Sequence, residues 1–361
     1  MRERIFKCKL VELQNQDNLN LLIRINPALA ERVRTVLAFL ARVYERSSYE
    51  DSKIPSHLQR PLRYLSRKLD RVETLTFVDM VNFNWSFVES PTMNIISNTK
   101  RRFSLGRFER ANVCILMRFL ALEDEEQFWI QHVVIEAHSS NLIAAMKQWR
   151  DVAYHASRLS SSSSSSKMQY DWNKIDEAAV SAIQRFGDSL GLLAECHTFG
   201  TNPRPDHVLM SRLRKWIEPE IGMSDEKFAC HLYVGGSIII PCVWNILGIS
   251  NDISRDEMRR VRENIMKIVP PEHKFWLNEM MKFGNARSYI ESRSNYVSPA
   301  TRSLLRTAYN SCLEQFQKLC SRRSRLVCRY LPRIKTSFIE KYENSEQSAM
   351  LESRLRRQSN K

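Results

Sequence analysis

The end of the last long helical segment, LCSRRSRLVCRYL at residues 319–331, contains two kinds of side chain that could do chemistry. Its apolar residues follow one stripe at helical spacing, and Arg323 stands on that stripe, four residues after Leu319 and three before Leu326. A guanidinium stays protonated and offers only hydrogen-bond donors, so it can grip an anion but cannot ligate a metal. Cys320 lies on nearly the same face, and its thiolate could be a metal ligand.

Arg323 and Cys320 also have structural interpretations. The methylenes of Arg323 can join the apolar stripe while the charged head reaches water or a carboxylate, or the guanidinium can face an anion within a cavity. Cys320 can be a packed thiol, because cysteine on an apolar helix face behaves as a small hydrophobe. The residues alone leave these alternatives open.

The eight cysteines include no CxxC pair, which argues against a zinc cluster. The N-terminal stretch MRERIFKCKL has no hydrophobic signal core, so we expect a reducing, cytoplasmic location. The longest apolar run, residues 232–249, is interrupted by glycine, proline and asparagine. We interpret this run as a loop that leads into a buried core helix, and we expect no membrane association.

The net charge of +15 raises the question of nucleic acid. Arginine and lysine are spread along the chain, and no zinc-finger, homeodomain or aromatic RNA-binding signature accompanies them. We therefore interpret the charge as solvated surface and expect a monomer without a nucleic-acid partner.

The segments that must position these residues have helical patterns. Nine glycines in 361 residues are few, and no βαβ alternation or regular strand spacing occurs. Apolar spacing predicts helices within residues 21–47, 54–69, 75–85, 128–149, 175–199, 255–281 (two helices broken at Pro270 and Pro271) and 298–331. Seven consecutive serines after Leu159 predict a loop between two of these helices.

The predicted fold is all-α, with a small N-terminal helical domain over residues 1–100 and a larger helical domain over 101–335. Residues 89–112 lose periodicity and gain charge, so we place the interdomain connection there. Residues 336–361 are polar, and we predict a disordered tail.

Four segments, in order, resemble the indoleamine 2,3-dioxygenase family. They are IPSHLQRPLRYLSRKL with LTFVDMVNFNW, then FLALEDEEQFWIQHVVIEAHSS, then GGSIIIPCVWNILGI, and finally IMKIVPPEHKFWL with AYNSCLEQFQKLCSRRSRLVCRYL. The PPEH segment and the AYxxC helix are the more specific of these motifs. The resemblance implies an all-helical bundle of a small and a large domain that binds haem b and opens the indole ring of L-tryptophan with O₂, as in the kynurenine pathway.

In the family, one histidine on the long C-terminal helix is the axial ligand of the haem iron. An ungapped alignment of residues 319–331 puts Arg323 at that position, and no histidine follows His273. The resemblance therefore implies haem b as cofactor, and the missing histidine argues against it in this chain. Cys320 is the fallback ligand, and a distant histidine is a further alternative.

The resemblance also implies a substrate pocket. Phe77 and Val81 match pocket-wall positions, and Phe128 with Trp129 matches an aromatic pair that packs on the indole ring. His132 replaces a small hydroxyl residue near the distal oxygen site, where it could bond O₂, accept the indole N–H or ligate iron. The alternative is core packing, with His132 bonded to a backbone carbonyl.

Three further positions complete the implied pocket. Arg214 matches the arginine that holds the substrate carboxylate, with Arg212 as the alternative and a solvated helix charge as the structural interpretation. Gly235 and Ser237 fit the family's GQS segment. The small residues that usually precede it are replaced by HLYV at residues 231–234, which would fill part of the cavity.

Three functions compete on this basis. We favour a family descendant that keeps the fold, has lost the iron chemistry because of Arg323, and binds an indole- or tryptophan-like ligand or another partner. The alternatives are an active haem dioxygenase with a different axial ligand and a basic interaction protein without a small-molecule site.

Overall fold

The computed structural model describes residues 15–47, 54–88, 109–160, 166–197, 206–218, 237–249 and 255–331. The predicted all-α fold is confirmed. The first half contains α1 Gln16–Ile25, α2 Pro27–Ser47, α3 Ser56–Lys68, α4 Phe77–Asn82, β1 Trp85–Phe87, a 3₁₀ turn Arg110–Asn112, β2 Val113–Ile115 and α5 Glu123–Ser160. The second half contains α6 Ser166–Cys196, α7 Asp206–Ile217, α8 Ile239–Leu247, α9 Arg255–Ile268, α10 Pro271–Lys282, α11 Ala286–Arg293 and α12 Pro299–Tyr330.

The chain forms two compact units whose segments alternate along the sequence. Unit 1 consists of residues 1–136, 203–228 and 266–272, and unit 2 of residues 137–202, 229–265 and 273–361. The predicted domain boundary near residue 100 and the predicted tail lie outside the described residues. The domain limits proposed from the sequence therefore remain a prediction.

Unit 1 packs α1, α2 and α3 against one another around Leu19, Leu37 and Leu65, which are almost fully buried. Its strands form a two-stranded antiparallel sheet in which Trp85 pairs with Ile115. Residues 75–85 differ from the predicted single buried helix, because α4 ends at Asn82 and β1 follows. The Asn84 side chain explains this change, since it exchanges two hydrogen bonds of 2.9 Å with the Met117 backbone and fixes the chain beside β2.

Unit 2 is built on the long pair α6 and α12. Phe186, Leu190, Phe316 and Leu319 are almost completely buried there. The Cys312 thiol donates to the Ile183 carbonyl across the pair at 2.9 Å, and burial raises the pKa of this thiol to about 12. Helix α12 is therefore held by α6 along the face that carries the predicted apolar stripe.

Helix α8 is the buried core helix that the apolar run predicted, since all its residues except Asn245 are buried. It ends at Gly248, whose φ of 74° is left-handed, and an added Cβ there would lie 2.7 Å from the Asn285 side-chain oxygen. Among the helices that the structure describes, none is long and apolar enough to cross a membrane.

Candidate functional site

Four of the predicted pocket residues lie together in unit 1. The rings of Phe77, Phe128, Trp129 and His132 form an aromatic cluster, with Phe77 at the tip of α4 and the other three on the first turns of α5. The Phe77 ring meets Phe128 edge-on at 6.3 Å and His132 edge-on at 5.1 Å between centroids. Val81 lies one turn after Phe77 on α4 and is also buried.

His132 is fixed by its own helix. Its Nδ1 lies 2.8 Å from the Phe128 carbonyl oxygen, and its ring lies 4.5 Å from the Phe128 ring. Because a carbonyl oxygen only accepts, Nδ1 carries the hydrogen, and in the neutral imidazole the lone pair is on Nε2. The backbone bond is the one that the structural interpretation of His132 predicted.

Glu125 positions Trp129 within this cluster. Its carboxylate is completely buried and accepts hydrogen bonds from the Phe119 N–H at 2.8 Å, the Leu120 N–H at 2.6 Å and Trp129 Nε1 at 3.3 Å. One carboxylate thus anchors the segment before α5 and orients a ring that is 0 % exposed. The sequence signal was an acidic residue in the first turn of a helix, four residues before a tryptophan.

Asp79 positions Phe77 and Val81. The Asp79 carboxylate and the Thr76 hydroxyl form a capping box at the start of α4. Asp79 is also ion-paired with Arg34 at 2.8 Å and with Arg71, and all three side chains are completely buried. Glu31 completes the network through Arg71 at 3.0 Å, and burial raises its pKa in spite of that arginine.

Arg214 is half-buried near the end of α7, in unit 1. Its Nε donates to Glu218 Oε2 at 3.2 Å, one turn further along the chain. The Glu218 carbonyl also accepts from Arg42 at 3.1 Å and Arg46 at 3.3 Å, and burial lowers the pKa of Arg42. A ligand carboxylate at Arg214 would compete with one that the protein supplies itself. The alternative residue, Arg212, is exposed.

Only part of the predicted GQS-like segment falls within the described residues. Ser237 is buried, and its hydroxyl accepts from the Ile239 N–H at 3.3 Å at the start of α8. Gly235 and residues 231–234 lie outside the described ranges, so the predicted narrowing by HLYV remains a prediction.

Arg323 and Cys320 lie on α12 in unit 2. Arg323 is only 9 % exposed and Cys320 only 2 %, among the buried residues Leu319, Leu326 and Val327. The prediction that Arg323 stands on the buried stripe is therefore confirmed. The next residue, Ser324, is completely buried, and its hydroxyl has no hydrogen-bond partner among the residues that the structure describes.

A clasp of charged groups joins this turn of α12 to the end of α6. Arg322 donates to the Ala194 carbonyl at 2.7 Å and pairs with Glu195 at 2.8 Å, and Lys318 reaches the other Glu195 oxygen at 2.5 Å. Hydrogen bonds from Arg322, then from Lys318, lower the pKa of the Glu195 carboxyl to about 2. The clasp fixes the backbone directly before position 323.

The geometry therefore brings together Phe77, Phe128, Trp129 and His132, and it gives Arg214 a carboxylate partner. Sequence reasoning missed the residues that hold them: Glu125, Asp79, Arg34, Arg71 and Glu218. The pair of Arg34 and Asp79 joins residues 45 apart in sequence, so no local spacing could reveal it. The contacts of Glu125 and Glu218 with Trp129 and Arg214 each span four residues, so helical spacing could have suggested them.

The family model of indoleamine 2,3-dioxygenase matches residues 19–361. The chain therefore belongs to the indoleamine 2,3-dioxygenase family. A search of the curated proteins found no matching sequence.

Members of this family bind haem, so the donor set of this chain can be tested against that cofactor. Arg323, which the resemblance assigns to the position of the family's iron ligand, is buried on α12, and a guanidinium has no lone pair to give. Cys320, one turn earlier, is packed among apolar side chains. The donors on α12 therefore do not fit the haem iron.

Proposed function

We propose that this member of the family has kept the fold and lost haem-dependent opening of the indole ring. The proposal rests on one observation, the burial of the arginine at position 323 on the stripe of α12. An axial ligand needs a lone pair, and a protonated guanidinium has only donors. Its charge would also repel a ferric iron in a pocket of low dielectric constant.

The fallback thiol does not restore the geometry. Cys320 precedes Arg323 by three residues, so a porphyrin ligated there would lie about 4.5 Å further along the helix axis. Cys320 is also packed in the core at 2 % exposure. Both facts support a packed thiol over an iron ligand.

The remaining residues support binding of a small aromatic ligand more than its oxidation. The aromatic cluster keeps the rings that the resemblance assigns to the indole pocket, and Arg214 keeps a guanidinium that a ligand carboxylate could reach by displacing Glu218. Neither feature supplies an oxidant. A retained indole- or tryptophan-like ligand is therefore the part of the family's function that these side chains can still serve.

The test is a haem titration followed by absorption spectroscopy, with kynurenine formation from L-tryptophan and O₂ as the activity assay. We expect the natural chain to give no stoichiometric Soret band and no product. Arg323→His should gain haem if this residue alone removed the ligand. Arg325→His is the matched control, because Arg325 is exposed on the same helix and its new imidazole would face solvent.

Stoichiometric haem with product formation by the natural chain would refute the proposal. If Arg323→His folds but takes up no haem, the proposal stands with a second cause of the loss. Residues 231–234, which replace the small residues of the family, would then be the next positions to restore.

An active enzyme with a different ligand is the second candidate, and His132 favours it. Because Nδ1–H is held by the Phe128 carbonyl, the lone pair of the neutral ring is on Nε2, as in histidines that bind metals. If the natural chain does bind haem, His132→Ala should abolish the Soret band, whereas Arg323→Ala should not.

A further inference from the structure

Unit 2 contains a cleft of about 370 Å³ between one face of α5 and one face of α6. This volume lies at the lower end of the range of small-molecule sites in proteins. The lining from α5 is Ala144, Lys147, Gln148, Asp151, Val152 and His155, and that from α6 is Lys174, Ile175, Ala178 and Arg185. No residue of α12 is among these lining residues, so the cleft does not include Arg323.

The lining of the cleft is cationic. Lys147, Lys174 and Arg185 are exposed side chains that converge on it from both helices. Asp151 is the single carboxylate of the lining, and it accepts from Arg150 Nε at 3.2 Å and Nη2 at 2.9 Å. Arg150 therefore pairs with this carboxylate from outside the lining.

The Arg185 side chain on α6 contacts the α5 side of the cleft. Its Nη1 lies 3.5 Å from the Gln148 side-chain oxygen on the opposite helix, a long contact between the two sides of the cleft. A guanidinium keeps several further N–H donors in a planar fork that matches phosphate oxygens. Two lysines and one such fork form a set of donors suited to a dianion.

The floor of the cleft is apolar and unfilled. Of the apolar lining residues, Val152 is buried and Ile175 is half-buried, whereas Ala144 and Ala178 are exposed and have no side-chain atoms beyond Cβ. Larger residues at the two alanine positions would occupy the space. The cleft therefore combines an apolar recess with a cationic rim, as sites for ligands with one charged end do.

We propose that this cleft binds a small phosphate monoester, with the phosphate at Lys147, Lys174 and Arg185 and a compact apolar group over Val152 and Ile175. A carboxylate would use the cations less fully, because it carries one charge where the rim offers three. Binding is electrostatic at the rim, so its strength falls with added salt.

The experiment is calorimetric titration of the full chain with phenyl phosphate and, separately, with inorganic phosphate at equal ionic strength. We expect a saturable 1:1 complex with phenyl phosphate, with a dissociation constant below about 1 mM. The pair Lys174→Gln with Arg185→Gln should weaken it by about tenfold or more. Arg306→Gln is the matched control, because it removes an exposed charge of unit 2 outside the cleft and should leave the affinity unchanged.

A second variant tests the recess without changing charge. Ala178 is exposed on α6, so Ala178→Phe should fold and block phenyl phosphate while the rim remains intact. Absence of saturable binding to the natural chain, or equal binding by the charge variants, would overturn the proposal. Equal affinity for inorganic phosphate and phenyl phosphate would show that Val152 and Ile175 do not bind the apolar group of the ligand. Preferential, salt-dependent binding of single-stranded RNA would overturn the small-molecule assignment.

Discussion

At the level of single residues, position 323 combines burial with a charge that no accessible pH removes. The apolar spacing of the segment predicted that this side chain lies on the packed face, and the structure confirms it. The spacing could not predict the clasp in the preceding turn, because it depends on Glu195 of α6.

Glu125 is a residue whose importance the sequence did not reveal, and it can be tested directly. Glu125→Gln should destabilise the protein by about 2–3 kcal/mol, because an amide N–H₂ would face donors that now share one buried carboxylate. Urea unfolding measures this change. The fluorescence of Trp129 should change as well, since its indole N–H loses a charged acceptor.

Glu126→Gln is the control for this prediction. Glu126 is the neighbouring residue, and its ion pair with Arg118 is partly exposed, so its loss should cost less than about 1 kcal/mol. Equal effects of the two substitutions would show that Glu125 does not anchor the start of α5 in the way described.

At the level of elements, the sequence predicted the N-cap of α12 and the proline break between α9 and α10. It did not predict the two-stranded sheet. Ser298 caps α12 as expected, and the two prolines at 270 and 271 separate α9 from α10. The strand β1 replaced the end of a predicted helix because Asn84 bonds to Met117, a partner more than 30 residues away. Local spacing describes one face of a helix, whereas strand pairing depends on a distant segment.

The packing of α6 on α12 can be tested with two glycines on the same helix. A Cβ at Gly187 would lie 3.0 Å from the buried Cys312 Sγ, whereas one at Gly191 would meet only the end of the Gln315 side chain at 2.9 Å. Alanine in a helix gains about 1 kcal/mol over glycine. Gly191→Ala should therefore stabilise the protein by about 0.5–1 kcal/mol, because Gln315 can rotate away.

Gly187→Ala should instead destabilise it by about 1 kcal/mol, since overpacking outweighs the gain in helix propensity. Thermal unfolding of both variants measures the contrast. The double variant Gly187→Ala with Cys312→Ala should recover part of the loss, because the smaller side chain makes room. Equal stabilisation by both single alanines would contradict the close packing of α6 and α12.

At the level of the whole molecule, two units are assembled from alternating segments of the chain. Composition and spacing predicted an all-helical protein, and that prediction is confirmed. Which segments join one unit is decided by contacts such as the one between Arg42 and the Glu218 backbone, which lie 176 residues apart. A pattern read along the chain carries no information about such pairs.

The buried charges of unit 1 give a prediction at this scale. Asp79→Asn should cost about 3–5 kcal/mol, because it leaves Arg34 and Arg71 buried without their shared carboxylate. Urea unfolding of the full chain measures the loss, and hydrogen exchange should report faster opening of α4. Glu73→Gln is the control: it breaks an exposed pair in the same unit and should cost less than about 1 kcal/mol. A small effect of Asp79→Asn would show that water reaches the network.

The clasp at the end of α6 has a consequence for how the protein responds to its surroundings. Because the Glu195 carboxyl has a pKa of about 2 in the folded chain and 4.5 as its reference value, its stabilising effect is fully present above pH 4.5 and fades only as the pH falls towards 2. Acidification of the kind found in endosomes therefore leaves the clasp closed. Since Glu195 and Lys318 face solvent, dissolved ions can screen them. A rise in ionic strength, and not a fall in pH to endosomal values, is therefore the change that weakens the clasp at the helix turn before Arg323.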